Sequence, residues 1–351
     1  MGGSIWHYTA RRQEAVCRFL FPKWRCLPQA EEYWNYADWK GGDTMSIVLQ
    51  YVDLTLSDIE ALDGENTIFL LSVSPIEAHG PHLPVGTDVF IAQELQRRYI
   101  QRIIAKYPGF NLVCLPDLYC GSDALPVSGS LSVRATALEA IILDYAKGLA
   151  KQGFKYLLLA DNHGGPRHQM ALHRASKRAW RRWRFAVISP FNLVFRYMVQ
   201  HDSGFMAATG LGPRECGDNA DAHAGTNETS LLLAVNSAKV AEQTDIPASL
   251  PPAPRGLPGL INRLGTLFNG KCWGKDLQHL ANTLAWVSDD DMLPYMGDPK
   301  QATAPAGEAM LNARVDVAME LLDKALEGRQ GPAELAKPML YWINWLVRLP
   351  E

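Results

Sequence analysis

The chain has no Cys-x-x-Cys pair. Its six cysteines, Cys17, Cys26, Cys114, Cys120, Cys216 and Cys272, stand singly along 351 residues. Neither a thiolate zinc site nor a redox dithiol is indicated by that spacing. Isolated cysteines fit a reducing compartment, so a cytoplasmic location is expected. No apolar run is long enough to cross a bilayer or to form the apolar part of a signal peptide. No charge of one sign dominates: the net charge is −3, which argues for neither nucleic acid nor membrane as a partner. Internal repeats and low-complexity tracts are also missing.

The chain is long enough for one large α/β domain or two small ones. Residues 1–44 are rich in Trp, Arg and Tyr and show little periodicity. They read as an N-terminal extension of unknown role, and Met45 is an alternative start. From residue 67 strands and helices alternate. Thr67–Ser74, Asn111–Leu115, Phe154–Ala160 and Phe185–Ser189 read as strands. Helical spacing covers Asp88–Tyr107, Val133–Lys151, His168–Trp183, Asn227–Val235 and Pro305–Leu326. Pro247–Gly259 reads as a loop or insertion, and Ala333–Val347 as a terminal amphipathic helix with Trp342 and Trp345. Strand-helix-strand repeats of this length predict right-handed crossovers and a mostly parallel sheet.

The chemistry concentrates in three segments. The first is Glu77-Ala-His-Gly-Pro-His-Leu-Pro-Val-Gly-Thr-Asp88, in which glycines and prolines forbid a regular element. The second is Asn162-His-Gly-Gly165. The third runs from Asp221 through His223, Gly225 and Glu228 to Ser230. In a parallel sheet the carboxyl ends of strands share one edge, so the first two segments converge there. Mixed imidazole and carboxylate donors suit Zn²⁺ or Mn²⁺, held as one ion or as two bridged by a carboxylate such as Asp88. Asp161 or Asp221 can supply the acceptor that fixes a ligating imidazole. Each residue also has a plainer role. Asp88 can cap the following helix, Glu228 can be a first-turn acid favoured by the helix dipole, and a lone His79 or His163 can be a hydrogen-bonded structural histidine. His82 can face substrate or stand behind the ligands. His223, beside Gly225, suits acid–base work. The basic run Arg174, Lys177, Arg178, Arg181, Arg182 and Arg184 reads as a solvated helix end rather than a nucleic-acid face.

These segments, with Gly297-Asp-Pro-Lys-Gln-Ala-Thr303, resemble the creatininase (creatinine amidohydrolase) family in order and spacing from about Leu54 to Leu326. The resemblance implies a layered α/β/α fold with a mostly parallel central sheet over residues 45–330; the amphipathic C-terminal helix expected over 331–351 lies outside the shared pattern. It implies a two-ion centre of Zn²⁺ or Mn²⁺ and a homo-oligomer, often a hexamer. Under it Glu77, His79, Asp88, His163 and Glu228 are the expected metal ligands, with Asp88 the bridge. His223 and Glu228 are the expected catalytic groups. His82, Ser122, Gly164 and Gly165 are expected on the substrate side.

One departure matters. Creatinine-hydrolysing members carry Tyr and Glu directly after the histidine of the second motif, where this chain has Gly164 and Gly165. That version is more similar to members that deformylate formamidopyrimidines or trim a peptide cofactor precursor. The expected activity is therefore metal-dependent hydrolysis of a C–N bond in a small amide, formamide or cyclic amide. A metallopeptidase acting on a short peptide or cofactor precursor is the alternative, and a non-catalytic metal- or ligand-binding protein is a second one.

Overall fold

A computed structural model describes residues 46–217, 221, 223–242, 245–268 and 272–341, all within the unit Gly42–Glu351. The expected extension over 1–44 lies outside the described residues, as does 342–351.

Strands β1 (Val48–Gln50), β2 (Thr67–Ser74), β3 (Asn111–Cys114), β4 (Leu118–Tyr119), β5 (Tyr156–Ala160) and β6 (Ala186–Ile188) form one sheet. Its order is β1-β3-β2-β5-β6, with β4 pairing β2, and each pairing of named strands is parallel. Among the described residues twelve α-helices flank or extend it. They are α1 (Leu56–Glu60), α2 (Thr87–Lys106), α3 (Ala135–Lys151), α4 (Pro166–Trp183), α5 (Phe191–Gln200), α6 (Ser203–Thr209), α7 (Pro213–Cys216), α8 (Thr226–Asn236), α9 (Gly256–Leu267), α10 (Cys272–Val287), α11 (Ala304–Leu326) and α12 (Pro332–Leu335).

All eight residues of β2 are buried. A central parallel strand is covered on both faces, which is why it reads as one apolar run rather than as an alternation. Phe69, Leu71 and Val73 face α3 and α4, where they meet Leu138, Ile142, Met170 and Leu172. Burying each such side chain contributes about 1.5–3 kcal/mol. On the other side α2 packs on β2 and β5, and α8 and α11 pack on α2. Arg98–Glu308, Arg102–Asp316 and Lys106–Asp323 form a row of ion pairs between α2 and α11. Exposed pairs add little energy, about 0–1 kcal/mol each, but they favour one register of the two helices.

Two segments differ from expectation. The Pro247–Gly259 loop gives way to helix at Gly256, because Pro258 sits in the first turn of α9, where its missing N–H costs nothing. The helix expected over 333–347 covers Pro332–Leu335 among the described residues. Pro338 stops it, by lacking a donor and by steering Lys337 out of the helical region.

Register decides where the chemistry falls. Ser72 of β2 pairs with Ala160 of β5. The Glu77 loop and the Asp161–Gly165 segment thus leave adjacent strands at the same edge.

Candidate metal centre

The Glu77–Asp88 segment is a closed loop. The Glu77 N–H donates to the Val85 carbonyl at 2.9 Å, and His79 bridges Leu83. Gly80 turns the chain at φ +69°, with a Cβ position only 3.1 Å from the Tyr295 ring, so it carries no side chain. The Thr87 hydroxyl donates to the Pro84 carbonyl at 2.7 Å. The N-cap of α2 is Gly86, and Asp88 follows in the first turn without a capping role. Its carboxylate turns inward and is 1% exposed.

There it lies between two histidines. Asp88 Oδ1 is 3.5 Å from His79 Nε2, and Asp88 Oδ2 is 3.3 Å from His163 Nδ1. Glu228 Oε2 stands 3.5 Å from His79 Nε2, and Glu77 Oε2 stands 3.0 Å from His163 Nδ1. Two donors on one tetrahedral ion, each at the usual bond length, are about 3.4 Å apart. The residues thus form two groups that share Asp88: Glu77–Asp88–His163 and His79–Asp88–Glu228. A third group joins Glu77, His79 and His223. Within this cluster Glu77 Oε2, His79 Nε2 and Asp88 Oδ2 are buried with no hydrogen-bond partner. Buried polar atoms are otherwise nearly always satisfied. Three orphaned donors converging on one gap fit cations.

All three imidazoles are fixed the same way. One ring nitrogen of each meets a main-chain carbonyl: His79 Nδ1 the Glu77 oxygen at 2.9 Å, His163 Nε2 the Ser122 oxygen at 2.9 Å, and His223 Nε2 the Ala78 oxygen at 2.8 Å. The other nitrogen of each is left to the cluster. Asp161 and Asp221, expected as the acceptors, do other work. Asp161 accepts from Ser74 Oγ, from the His163 N–H and from Gln169 Nε2. Asp221 accepts from the Thr226 N–H at the start of α8, and burial pushes its carboxyl up to about 6.

The electrostatics follow from the crowding. Burial alone would depress the His79 imidazole, but the carboxylates of Asp88, Glu228 and Glu77 push it up to about 10. His163 is likewise raised against its burial by Glu77 and Asp88. Burial works to raise Glu77, and His163 with His223 holds it down at about 2.

Other expected residues sit differently. His82 is buried with Nε2 2.9 Å from Thr229 Oγ1 and its ring edge-on to Tyr295. Burial, with His79 alongside, holds it down at about 4. It ties the loop to α8 and is absent from the cavity wall. Ser122 is also off that wall, and its carbonyl orients His163. Gly164 and Gly165 do line the cavity. In the basic run, Arg174 and Arg178 pair with Glu139.

Three comparisons now bear on this geometry. The family model for creatinine amidohydrolase matches residues 52–322. The chain belongs to the creatininase family. Among curated relatives, the mycofactocin precursor peptide peptidase of Mycolicibacterium smegmatis is 24% identical over 265 residues, 75% of this chain and 87% of that protein. Its counterpart in Mycobacterium ulcerans is 27% identical over 267 residues, with the same coverage. A crystal structure of creatinine amidohydrolase superposes with a TM-score of 0.54 at 20% identity, covering 78% of this chain and 97% of that one. A manganese creatininase structure gives 0.54 at 20% identity, covering 80% and 98%. The chain is thus a creatininase-family hydrolase with side chains grouped to hold metal.

Within that family the Gly164-Gly165 departure has a structural reason here. A Cβ at Gly165 would overlap His163 Nε2 and come 2.8 Å from the Ser122 oxygen. A Cβ at Gly164 would come 2.8 Å from the Phe195 ring. An acid at 165 is incompatible with this packing, and Glu228 completes the His79–Asp88 group without it.

A cavity of about 500 Å³ opens beside the cluster. His163, His223 and Glu228 lie on its wall with Phe191, Phe195, Leu280, Leu284, Trp286 and Met339. The sequence reading missed α10 and the Pro338–Leu340 turn as wall elements. It also missed Arg314, whose only signal was a cation within the buried stripe Met310, Leu311, Val315 and Ala318 of α11.

Proposed function

We propose that the protein is a two-metal hydrolase that cleaves an amide C–N bond in a short peptide or peptide-like substrate. The observation that carries the reading is Asp88, whose two oxygens face the histidines of two separate ligand groups. Divalent ions held there would polarise the substrate carbonyl and lower the pKa of a shared water from 15.7 toward ~7. Zn²⁺ or Mn²⁺ suits the nitrogen and oxygen donors, and related creatininase structures are described as manganese and zinc forms.

The chain's own groups divide the remaining work. Glu228 accepts from Asn162 Nδ2 and from the Ala224 N–H, one bond to each oxygen, so it is held as a ligand rather than freed to move protons. His223 keeps Nδ1 3.9 Å from both Glu77 and Glu228 and stands on the cavity wall. It takes the proton from the attacking water and passes it to the leaving nitrogen. Trp286 stands beside it, 5.8 Å away between ring centroids.

The substrate class rests on the cavity. It is large and its apolar wall is wide, whereas creatinine is compact and polar. Gly164 and Gly165 line the cavity without adding a side chain to it, and the curated relatives are named as peptide peptidases. We also place the protein in a homo-oligomer; the exposed stripe Leu257, Leu260, Leu264 and Leu267 on α9 supports a subunit contact. The test is a metal-replete assay against short peptides with apolar residues, creatinine, and formamides. Peptide cleavage abolished by chelation and restored by Zn²⁺ or Mn²⁺ is expected. Full activity in demetallated protein would overturn the reading, and cleavage of formamides alone would overturn its substrate class.

A further inference from the structure

Arg314 heads the fully buried side chains of the described residues, at 1% exposed, on a helix otherwise apolar on that face. A guanidinium is costly to bury unless its donors are used. Nη1 donates to Asn162 Oδ1 at 2.5 Å, Nη2 donates to Asn227 Oδ1 at 3.2 Å, and the group lies 5.5 Å from the Phe191 ring centroid. Each asparagine precedes a site residue, His163 in one case and Glu228 in the other.

Arginine has only donors, so both amides must present their oxygens to it and turn their nitrogens away. Asn162 Nδ2 then donates to Asp88 Oδ1 at 2.8 Å and to Glu228 Oε1 at 3.1 Å. Those are the two carboxylates of the His79 group. Asn227 Nδ2 donates to the Cys216 carbonyl at 2.6 Å, which pins the first turn of α8 beside Glu228. The other group shares Asp88, through Oδ2, but its remaining residues are held by different atoms: Glu77 Oε1 accepts from the Leu125 N–H at 2.7 Å, and His163 is set by the Ser122 carbonyl.

We infer that Arg314 is a positioning residue for one half of the centre: through Asn162 and Asn227 it holds Asp88 and Glu228 at the separation that an ion on the His79 side requires. The inference rests on the two-metal reading above. Because the Glu77 side has its own supports, losing Arg314 weakens one ion and spares the other.

The test is a titration of metal-free protein with Zn²⁺ alone, counting ions per chain and their affinities, with circular dichroism as the check on folding. In Arg314→Met one ion binds as in the unsubstituted protein and the second binds 10–100-fold more weakly, the usual effect of losing such a support. Asn162→Ala gives the same pattern and carries the test if Arg314→Met does not fold. Arg314→Lys keeps the charge without the two-pronged geometry and also stays weak at the second ion. Two ions at undiminished affinity in Arg314→Met or Asn162→Ala would overturn the positioning role. Full restoration by Arg314→Lys would overturn it in favour of charge alone. Fewer than two ions in the unsubstituted protein would overturn the two-metal reading itself.

Discussion

The Ser122 carbonyl holds the Nε2 of His163 at 2.9 Å and thereby turns Nδ1 of that ring toward Glu77 and Asp88. Gly165 passes so close to this bond that a Cβ cannot enter without breaking it. Gly165→Ala should therefore lower metal affinity by about 10–100-fold, the range for lost ligand orientation. Competition with a chelator measures it. Gly165→Glu, although it supplies the acid of creatinine-hydrolysing members, should lose metal too and gain no creatinine hydrolysis. Retained metal in either variant would contradict this account.

Removing the shared ligand and removing an unshared one should differ. Asp88→Asn is expected to lose both ions, and Glu228→Gln only one, because Asp88 alone belongs to both of those groups. Native mass spectrometry counts the ions directly. Equal loss from the two variants would argue against a bridging Asp88.

The metal-free protein should have a limited pH range of greatest stability. His79 has a folded pKa of about 10 against an ordinary 6.5, so its contribution is whole below 6.5 and disappears as pH rises through 10. Glu77 has a folded pKa of about 2 against an ordinary 4.5, so its contribution is whole above 4.5 and disappears as pH falls toward 2. The melting temperature of metal-free protein should be highest between about pH 4.5 and 6.5 and fall on either side. Metal must displace protons from His79 and His163, so its affinity should rise with pH. A melting temperature that climbs from pH 6.5 to 9 would contradict the assignment.

Met339 lies on the cavity wall and belongs to none of the candidate ligand groups. Met339→Ala should raise KM for an apolar peptide about tenfold or more, since a few buried methylene-sized groups are worth roughly 2 kcal/mol. Metal content should not change. A fall in kcat with KM unaltered would place Met339 elsewhere in the reaction.

The leucine stripe of α9 makes a separate prediction. Leu260 is 55% exposed between Leu257 and Leu264 on one helical face. Leu260→Glu should shift the protein toward smaller species in sedimentation velocity without loss of helical signal. An unchanged distribution would remove α9 from any subunit contact.

Much of this arrangement was legible before the structure. The mainly apolar run of β2 announced a covered parallel strand, and the Glu77–Asp88 loop could only lie at its end. His79, Asp88, His163 and Glu228 converge as their motifs implied. What stayed hidden depends on distant contacts. The spacing of α11 marked a helix but could not show that Arg314 points at two asparagines from elsewhere in the chain. The acceptors of the three imidazoles were sought among aspartates, yet they are main-chain carbonyls, which every residue has and no motif displays. His82 shares its loop with three expected ligands, Glu77, His79 and Asp88, and only the approach of Thr229 shows that its ring is engaged with α8.

Those main-chain acceptors have a consequence for how such a centre can change. A supporting aspartate can be lost to a single substitution, but a carbonyl oxygen survives replacement of the side chain above it. The three rings are therefore buffered against mutation at Glu77, Ala78 and Ser122 so long as the backbone path persists. Asp88, by contrast, accepts from the Asn162 side chain, which a single substitution removes. Chemical novelty in a scaffold of this kind should enter by exchange of acids around stationary imidazoles, and Glu228 completing a group beside a bare Gly165 is one such arrangement.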